Sequence, residues 1–340
     1  MLRSLLVAAL ALPLAAQRNW VVDNSMAAGA DFPDLISAYA SAARGDRIHI
    51  RLGDGSPYRS PPLFDKAMTI LGIGTIRPVI NVGSNVYVRC GRSELMVFDN
   101  LEIQPTNQLG LAIQLQRNNG LVIYSRVTAR GYMYASTPLI AGLSRVVMVD
   151  STIFHGALSI YSEQTRIWLL NCQTQTLNAA DRNLDGAIVV KAGSFLRVVG
   201  GRHIGGDGLG DCYPPSPGYV GEAAIWAGQG PAVVSGPATL IGGLIWAYNP
   251  VCGAGGGTGR VGAVSSACVP GSNGLVLDPI VVRQSASLGP PCSLTQLREM
   301  PAVIPSPAAR GQSQNIEVWG PQQSIVAVFA SFLTPFEPIT

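Results

Sequence analysis

A short strand-and-turn pattern recurs six times between residues 97 and 241, and it constrains this chain more than any other feature. Each copy is a short apolar run that ends in a small polar residue or Gly. The apolar residues just before these turns lie 26, 25, 21, 29 and 35 positions apart, and they are Phe98, Tyr124, Val149, Leu170, Val199 and Val234. Self-similarity at a period of roughly 20–50 residues is typical of solenoids and blade arrays.

The content of each repeat predicts three short β-strands. The apolar runs are β-branched and punctuated by Gly, Asn, Ser or Asp, which is typical of strands. The region from 97 to 241 holds no ten-residue stretch of helical period. A four-stranded propeller blade needs about 40 residues, which is more than most of the intervals allow. We therefore predict a parallel β-helix, in which insertions loop out without breaking the stack.

One rung can be assigned from the sequence alone. Its predicted strands are Leu111–Gln116, Leu121–Tyr124 and Val127–Ala129, with a sharp corner at Ser125-Arg126. Corners of this kind suit short side chains that bond to nearby backbone. The pairs that we assign to the same corner in other rungs are Asp99-Asn100, Asp150-Ser151 and Asn171-Cys172.

The first residues predict export. Residues 1–17 combine a positive start, an apolar run and small residues near Ala16, which is the pattern of a secretory signal. This run and a later one at Ser324–Leu333 are both too short to span a bilayer. We expect a secreted or cell-surface protein with no membrane span, in which the six cysteines can form disulfides.

The remaining chain divides into a solenoid, a linker and a small end segment. The β-helix is predicted over 18–285 and opens with a capping helix from Asp31, whose apolar face would carry Leu35, Ile36, Tyr39, Ala40 and Ala43. Residues 286–313 are dense in Pro and Ser and predict a linker, with a short helical candidate at Ser293–Met300. Residues 314–340 resume strand patterning as a small C-terminal β segment.

Charge excludes some classes of partner. The net charge is +3 and charged residues make up 13% of the chain, against about 25% in an average domain. Lys occurs only at 66 and 191, and the Arg residues are scattered without a basic stripe, so no nucleic-acid partner is expected. The three histidines lie far apart and no Cys-x-x-Cys pair is present, which argues against zinc.

The N-terminal part of the chain resembles a known superfamily. The segments Asp31–Ala38, Gly45–Ile50, Gly55–Tyr58 and Met68–Gly74 are similar to the opening of the pectin-lyase-like proteins, and of pectin methylesterases in particular. The resemblance implies a right-handed parallel β-helix over about residues 20–245. The methylesterase strings Gln-Asp-Thr, Asp-Phe-Ile-Phe-Gly and Leu-Gly-Arg-Pro-Trp are absent, as is the polygalacturonase Gly-His-Gly pattern. The resemblance therefore implies the fold but does not assign an enzyme activity.

Two long insertions follow the third strand of successive rungs, at Thr174–Gly186 and Gly205–Gly221. Equivalent loops of a solenoid stack on one edge, where sites are commonly built. The first insertion carries half of a calcium loop, with oxygen ligands at alternate positions: Asp181, Asn183 and Asp185. The glutamate expected at the twelfth position is replaced by Ala192, and the alternative interpretation is a solvated polar turn.

The second insertion carries the candidate catalytic residues. Carboxylates beside a His and an Arg can perform acid–base chemistry on a glycoside or uronide, and the set is Arg202, His203, Asp207, Asp211 and Glu222. The alternative is a flexible Gly-rich turn in which His203 is a capping residue. Trp226 lies beside this loop and either packs in the core or stacks on a sugar face.

The sequence supports two functional hypotheses. The first is an exported β-helix protein that binds, or is displayed on, extracellular polysaccharide without strong catalysis. The alternative is a polysaccharide lyase or glycoside hydrolase that acts on uronic-acid-containing glycans at the edge between Asp181 and Glu222. Calcium is the only cofactor that the sequence suggests, and whether the protein is an enzyme stays open.

Overall fold

The three-dimensional structure is a computed structural model. It describes residues 17–83, 87–106, 111–136, 144–155, 159–176, 186–207, 223–227, 230 and 232–242, together with short strands at 264–266, 275–277, 282–284, 296–297, 302–305 and 316–319. The predicted signal at 1–17 therefore lies almost entirely outside the described residues. Within them, no helix is long and apolar enough to cross a bilayer.

Three parallel sheets form the body of the molecule. Sheet A has 11 strands: β1 Asn19–Val22, β2 Arg47–Ile50, β5 Thr69–Gly72, β8 Leu95–Asp99, β11 Leu121–Ser125, β14 Ser144–Val149, β17 Thr165–Leu170, β20 Phe195–Val199, β23 Ala232–Ser235, β26 Leu275–Leu277 and β28 Gln296–Leu297. Sheet B has 9 strands: β3 Tyr58–Arg59, β6 Val79–Val82, β9 Glu102–Pro105, β12 Thr128–Ala129, β15 Thr152–His155, β18 Gln173–Thr176, β21 Arg202–Ile204, β24 Thr239–Ile241 and β27 Val282–Gln284.

Sheet C and two strand pairs complete the sheets. Sheet C has 6 strands: β10 Leu111–Gln116, β13 Tyr132–Ser136, β16 Ile160–Glu163, β19 Gly186–Val190, β22 Ala223–Ala227 and β25 Val264–Ser266. A parallel pair near the N-terminus joins β4 Leu63–Phe64 to β7 Tyr87–Val88. An antiparallel pair near the C-terminus joins β29 Ala302–Pro305 to β30 Ile316–Trp319.

The chain visits the sheets in the fixed order A, B, C. After β11 in sheet A it passes through β12 in sheet B and β13 in sheet C, and it then returns to sheet A as β14, beside β11. From β8 to β26, each crossover between neighbouring strands of sheet A is thus one full coil, and the connection is right-handed as parallel crossovers are. The predicted right-handed parallel β-helix is confirmed.

The core fills the space between the sheets with one inward column per strand position. In sheet A the residues Phe98, Tyr124, Met148, Leu169 and Val198 are in register and at most 2% exposed. At the N-terminal end this column continues as an aromatic stack, because Phe98 lies parallel to Tyr124 at 5.1 Å between ring centroids. Burial of these side chains is the main force that holds one rung on the next.

Register shows that the markers of the repeat do not all lie on one face. Phe98, Tyr124 and Val234 belong to the inward column, whereas Val149, Leu170 and Val199 are aligned with Ser125 on the outer face. The difference arises because the strands β14, β17 and β20 carry an apolar residue on both faces next to the corner. Alternation alone cannot then tell which residue points inward.

A left-handed backbone residue turns the chain at each corner between sheet A and sheet B. The residues with positive φ are Asn100, Arg126, Asp150 and Asn171, with φ from 47° to 53°. Gly200 and Gly236 take the same place with φ of 66° and 70°. Each corner amide donates to the next rung, as Asn171 N does to Val199 O at 2.8 Å. The predicted corners are confirmed, and their backbone groups stay hydrogen-bonded across the turn.

The capping helix, α1, spans Leu35–Ser41 and begins later than predicted. Its N-cap is Asp34, whose side chain accepts from Ser37 N at 2.8 Å, whereas Asp31 binds the Val21 amide. The predicted apolar face was partly wrong, because Ile36, Ala40 and Ala43 are exposed. The later start rotates the buried stripe to Leu35, Ala38, Tyr39 and Ala42, which packs on the first rung.

One described strand of sheet A lies beyond residue 285, and the predicted domain boundaries stay predictions. The helical candidate at Ser293–Met300 is wrong, since Gln296–Leu297 form β28 and pair with Val276–Leu277 in sheet A. β28 and β29 both lie within 286–313, the stretch predicted as a linker. Pairing with a neighbouring strand overrides the weak helical pattern of this segment.

Candidate functional site

The loops from sheet B to sheet C lengthen along the solenoid. Arg130 and Gly131 alone join β12 to β13, whereas residues 177–185 join β18 to β19 and residues 205–222 join β21 to β22. Residues 242–263 join the next pair of strands at the same place. Because β18 pairs with β21 and β19 pairs with β22, the predicted insertions leave and re-enter the solenoid side by side.

Most of the predicted site residues lie in the interior of these insertions. Asp181, Asn183, Asp185, Asp211 and Glu222 are all outside the described residues. Within the described part of the chain, no group of three or more His, Cys, Asp or Glu side chains could hold a metal ion. The calcium and carboxylate predictions therefore stay predictions.

Arg202 and His203 point to opposite faces of β21. Arg202 is exposed on the outer face, whereas His203 is fully buried. The Nδ1 atom of His203 lies 3.0 Å from Thr174 Oγ1, and its Nε2 atom has no hydrogen-bond partner among the described residues. Asp207, just beyond this strand, is partly exposed. Strand alternation thus separates two residues that are adjacent in sequence.

The environment of His203 keeps its imidazole neutral. Burial lowers the pKa of His203 from 6.5 to about 4, because the charged ring would lose its hydration inside the core. A fully buried imidazole does not reach a polymer bound outside the solenoid. The position of His203 thus fits a core residue that shares one hydrogen bond with Thr174.

Two of the cysteines are also core residues. Cys90 and Cys172 are buried free thiols. Burial raises the pKa of Cys90 to about 11 and that of Cys172 to about 12, so both stay protonated and unreactive. The other four cysteines of the sequence lie outside the described residues.

The outer face of sheet C carries an aromatic patch that the sequence reading missed. We define this patch as Tyr132, Tyr134, Tyr161 and Trp226, all of which are partly exposed. Their neighbours along the strands, such as Met133, Ile160 and Ile225, are fully buried. Alternation therefore places all four aromatic rings on the outside, and it places Trp226 outside the core.

The rings are ordered along the solenoid axis. Tyr134 stacks on Tyr161 in the next rung, with centroids 5.1 Å apart and planes 9° from parallel. Tyr161 is aligned with Val189, and Val189 with Trp226, so the rung between these two rings contributes a buried valine. At its far end the Lys191 ammonium lies 4.3 Å from the centroid of the Trp226 ring.

The patch presents few charged groups to the outside. Burial raises the pKa values of Tyr132 and Tyr161, with smaller effects from Tyr134 and Glu163, so both phenols remain donors at neutral pH. Glu163 is the only acidic residue on the described strands of sheet C. A pair of catalytic carboxylates would have to come from the insertions rather than from this face.

A sequence signal for the patch was present. Tyr132-Met133-Tyr134 and Ile160-Tyr161-Ser162 both alternate with a period of two residues, which is typical of a half-buried strand. The predicted rung ended at Ala129, so β13 and its aromatic face were not assigned.

Comparisons with known proteins find relatives only at the level of structure. No protein-family model and no curated protein matches the sequence. Pectin methylesterase PemA from Erwinia chrysanthemi is 13% identical over 83% of this chain and 94% of its own, with a TM-score of 0.50. The fold is that of the pectin-lyase-like β-helix. An identity this low shows the shared architecture and leaves the activity undetermined.

Two further structures are similar at a lower level. A pectin methylesterase mutant in complex with a hexasaccharide is 12% identical over 83% of this chain and 94% of its own, with a TM-score of 0.49. The Escherichia coli protein YbhC is 14% identical over 73% of this chain and 80% of its own, with a TM-score of 0.45.

Proposed function

We propose that this chain is an exported β-helix protein that binds extracellular polysaccharide through the aromatic patch on sheet C. The observation that supports this proposal is the group of four outward-facing rings, contributed by three rungs of sheet C beside the longest loops of the solenoid. Aromatic side chains offer apolar faces to the C–H groups of sugars, and their polar edges bind hydroxyls. A rigid sheet presents these groups at little conformational cost.

The dimensions of the patch suit a chain-like ligand. Neighbouring rungs are about 4.8 Å apart, so three steps from Tyr134 to Trp226 span about 14 Å. A linear polymer that lies along the solenoid axis would contact Tyr134, Tyr161 and Trp226 in that order.

Binding measurements on matched variants test this proposal. Affinity electrophoresis or calorimetry with soluble polysaccharides should show binding by the native protein. We expect Tyr161→Ala and Trp226→Ala to weaken it at least tenfold each. Trp168→Ala is the matched control, because Trp168 is a partly exposed tryptophan on the outer face of sheet A. Equal loss in all three variants, or no binding of any polysaccharide by the native protein, would refute the proposal.

A second candidate function is cleavage of uronic-acid polymers at the edge between Asp181 and Glu222. It is favoured by the paired strands that bring the ends of both insertions together. Incubation with such polymers would give absorbance from unsaturated ends for a lyase, or new reducing ends for a hydrolase. Activity that survives both Asp207→Ala and Asp211→Ala would eliminate this site.

Calcium binding by Asp181, Asn183 and Asp185 can be tested independently of either function. A ligand that binds only the folded state stabilises it by RT ln(1 + [L]/Kd), so the melting temperature rises with the ligand concentration. We expect calcium to raise the melting temperature over chelator in the native protein, and Asp181→Asn to remove this difference. Equal melting curves in calcium and chelator would exclude the ion.

Export is tested by the N-terminus of the protein recovered outside the cell. We expect it to begin near Ala16 or Gln17 if residues 1–17 are removed as a signal. A secreted form that retains Met1 would contradict this assignment.

A further inference from the structure

Sheet A and sheet B present different chemistry to the outside. Along the outer face of sheet A, strands β8, β11, β14 and β17 align a column of partly exposed apolar residues: Val97, Ile123, Val147 and Trp168. The corresponding column of sheet B is polar in the five rungs from β9 to β21: Glu102, Thr128, Thr152, Gln173 and Arg202. A solvated face of a sheet normally resembles the second column rather than the first.

The apolar column is part of a wider strip. On the same face, Val149 and Leu170 are aligned with each other and partly exposed. We define the apolar strip as Val97, Ile123, Val147, Val149, Trp168 and Leu170. None of these side chains belongs to the core, since the inward residues of the same strands, such as Met148 and Leu169, are fully buried. A contiguous exposed patch of this kind marks a surface that packs against something.

The end of this face nearest the C-terminus is already covered. Val199 and Ser235 continue the outward row that contains Leu170, yet they are 5% and 0% exposed. The strand β29 contacts β20, which is hydrogen-bonded to a neighbour on each side and packs its inner face on the core. β29 therefore approaches β20 from the outer side of sheet A.

We propose that residues 320–340 cross the outer face of sheet A and cover the apolar strip. They follow β30, the partner of β29, so the segment starts next to the covered end of this face. Ile325, Val328, Phe329, Phe332 and Leu333 supply apolar side chains, and the segment carries no charge before Glu337. The uncharged segment and the uncharged strip match in chemistry.

The length of the segment is sufficient for this path. Four steps from β20 to β8 cover about 19 Å at about 4.8 Å per strand. Residues 320–340 would reach about 69 Å if extended and about 31 Å as a helix. The occupant is thus a segment of the same chain, and a second copy of the protein on this strip is the competing outcome. This inference does not depend on the proposed polysaccharide binding.

Photo-crosslinking in the full chain tests this inference. Benzoylphenylalanine is placed at Val147 in the middle of the strip, and at Thr152 on the outer face of sheet B as the matched control. After irradiation and digestion, mass spectrometry should find Val147 joined to peptides from 320–340 of the same chain. The Thr152 variant should give no such product. Equal mixtures of ¹⁴N and ¹⁵N protein distinguish crosslinks within one chain from crosslinks between two.

Two results would overturn the inference. One is a folded Val147 variant, judged by circular dichroism, that gives no crosslink to residues 320–340. The other is a product that joins two copies, which would assign the strip to a dimer. As a second measurement, Phe329→Asp should increase proteolytic cleavage after residue 319 at least several-fold, while the core of the protein stays resistant. Unchanged cleavage in Phe329→Asp would also contradict the covering segment.

Discussion

Protonation of His203 should destabilise the fold as the pH falls, and the structure gives the size of this effect. The ring is fully buried in the interior column of sheet B, between Thr174 and Leu240. Its pKa is about 4 in the folded chain and 6.5 in an exposed histidine. The unfolded chain therefore takes up a proton from about pH 6.5 downward, while the folded chain resists protonation until about pH 4.

The sign and the magnitude follow from this difference. Stability is fully present above pH 6.5 and is lost as the pH falls toward 4. The complete effect is about 3 kcal/mol, from a pKa difference of about 2.5. At pH 5 about 2 kcal/mol of it should already be lost. Carboxylates with lowered pKa values, such as Asp46, contribute their own loss at lower pH, so measurements should stay between pH 7.5 and 5.

Urea unfolding of the native protein and His203→Leu, followed by circular dichroism, measures this effect. Leucine suits the column because Leu240 is the next residue in register. The native protein should lose about 2 kcal/mol more than the variant between pH 7.5 and 5. His49→Gln is the comparison, because burial and Arg47 also lower the pKa of His49 but the ring is only partly buried on the outer face of sheet A, so its loss should change the pH dependence less than the loss of His203 does. Identical pH dependence in the native protein and His203→Leu would refute the reasoning.

Four further substitutions test contacts within the solenoid. Gly201→Ala should cost more than about 2 kcal/mol in urea unfolding, because its φ is +85° and an added Cβ would lie 2.0 Å from Cys172 O. Gly45→Ala, with φ of +90° and open space around it, should cost only about 1 kcal/mol, and equal costs would contradict the steric argument. Tyr124→Phe should leave the melting temperature unchanged or raise it, since the buried hydroxyl has no hydrogen-bond partner among the described residues. A clear decrease in the melting temperature would instead indicate that a water in the small cavity beside the ring binds the hydroxyl. Lys66→Met should lower stability by about 1–2 kcal/mol, because the ammonium donates to the carbonyls of Tyr39, Ala40 and Ala42 at the end of α1 at 2.6, 3.1 and 2.9 Å; an unchanged denaturation midpoint would contradict this role.

The solenoid could be predicted because its repeat can be recognised in the sequence. Short β-branched runs that return every 21 to 35 residues leave few other architectures. The corners could also be predicted, because Asn100 and Asn171 are residues that tolerate positive φ. The start of the capping helix could not be predicted, because Asp31 and Asp34 are both possible N-caps. The bridge between Val22 and Phe32 keeps Asp31 outside the helix and leaves Asp34 as the N-cap.

Which face of a strand each residue occupies could be assigned only from the register between strands. The sequence alone does not give this register. Val198-Val199 and Leu169-Leu170 each offer two apolar residues at one corner, and only pairing with the neighbouring rung shows which one is inside. The direction of the Trp226 side chain could not be predicted for the same reason. The burial of the adjacent Ile225 shows that Trp226 points outward.

The chemistry of a β-helix surface follows from the same register. An outward position receives a new side chain in each rung, so a row of similar outward residues forms only where several rungs agree. Sheet C aligns tyrosines in this way, sheet B aligns polar side chains, and sheet A aligns Val97, Ile123 and Val147. Chance substitution on a solvated face would mix these classes, because each rung contributes independently to stability there. The apolar row of sheet A and the stacked tyrosines of sheet C are therefore the outer faces that depart most from an ordinary solvated sheet.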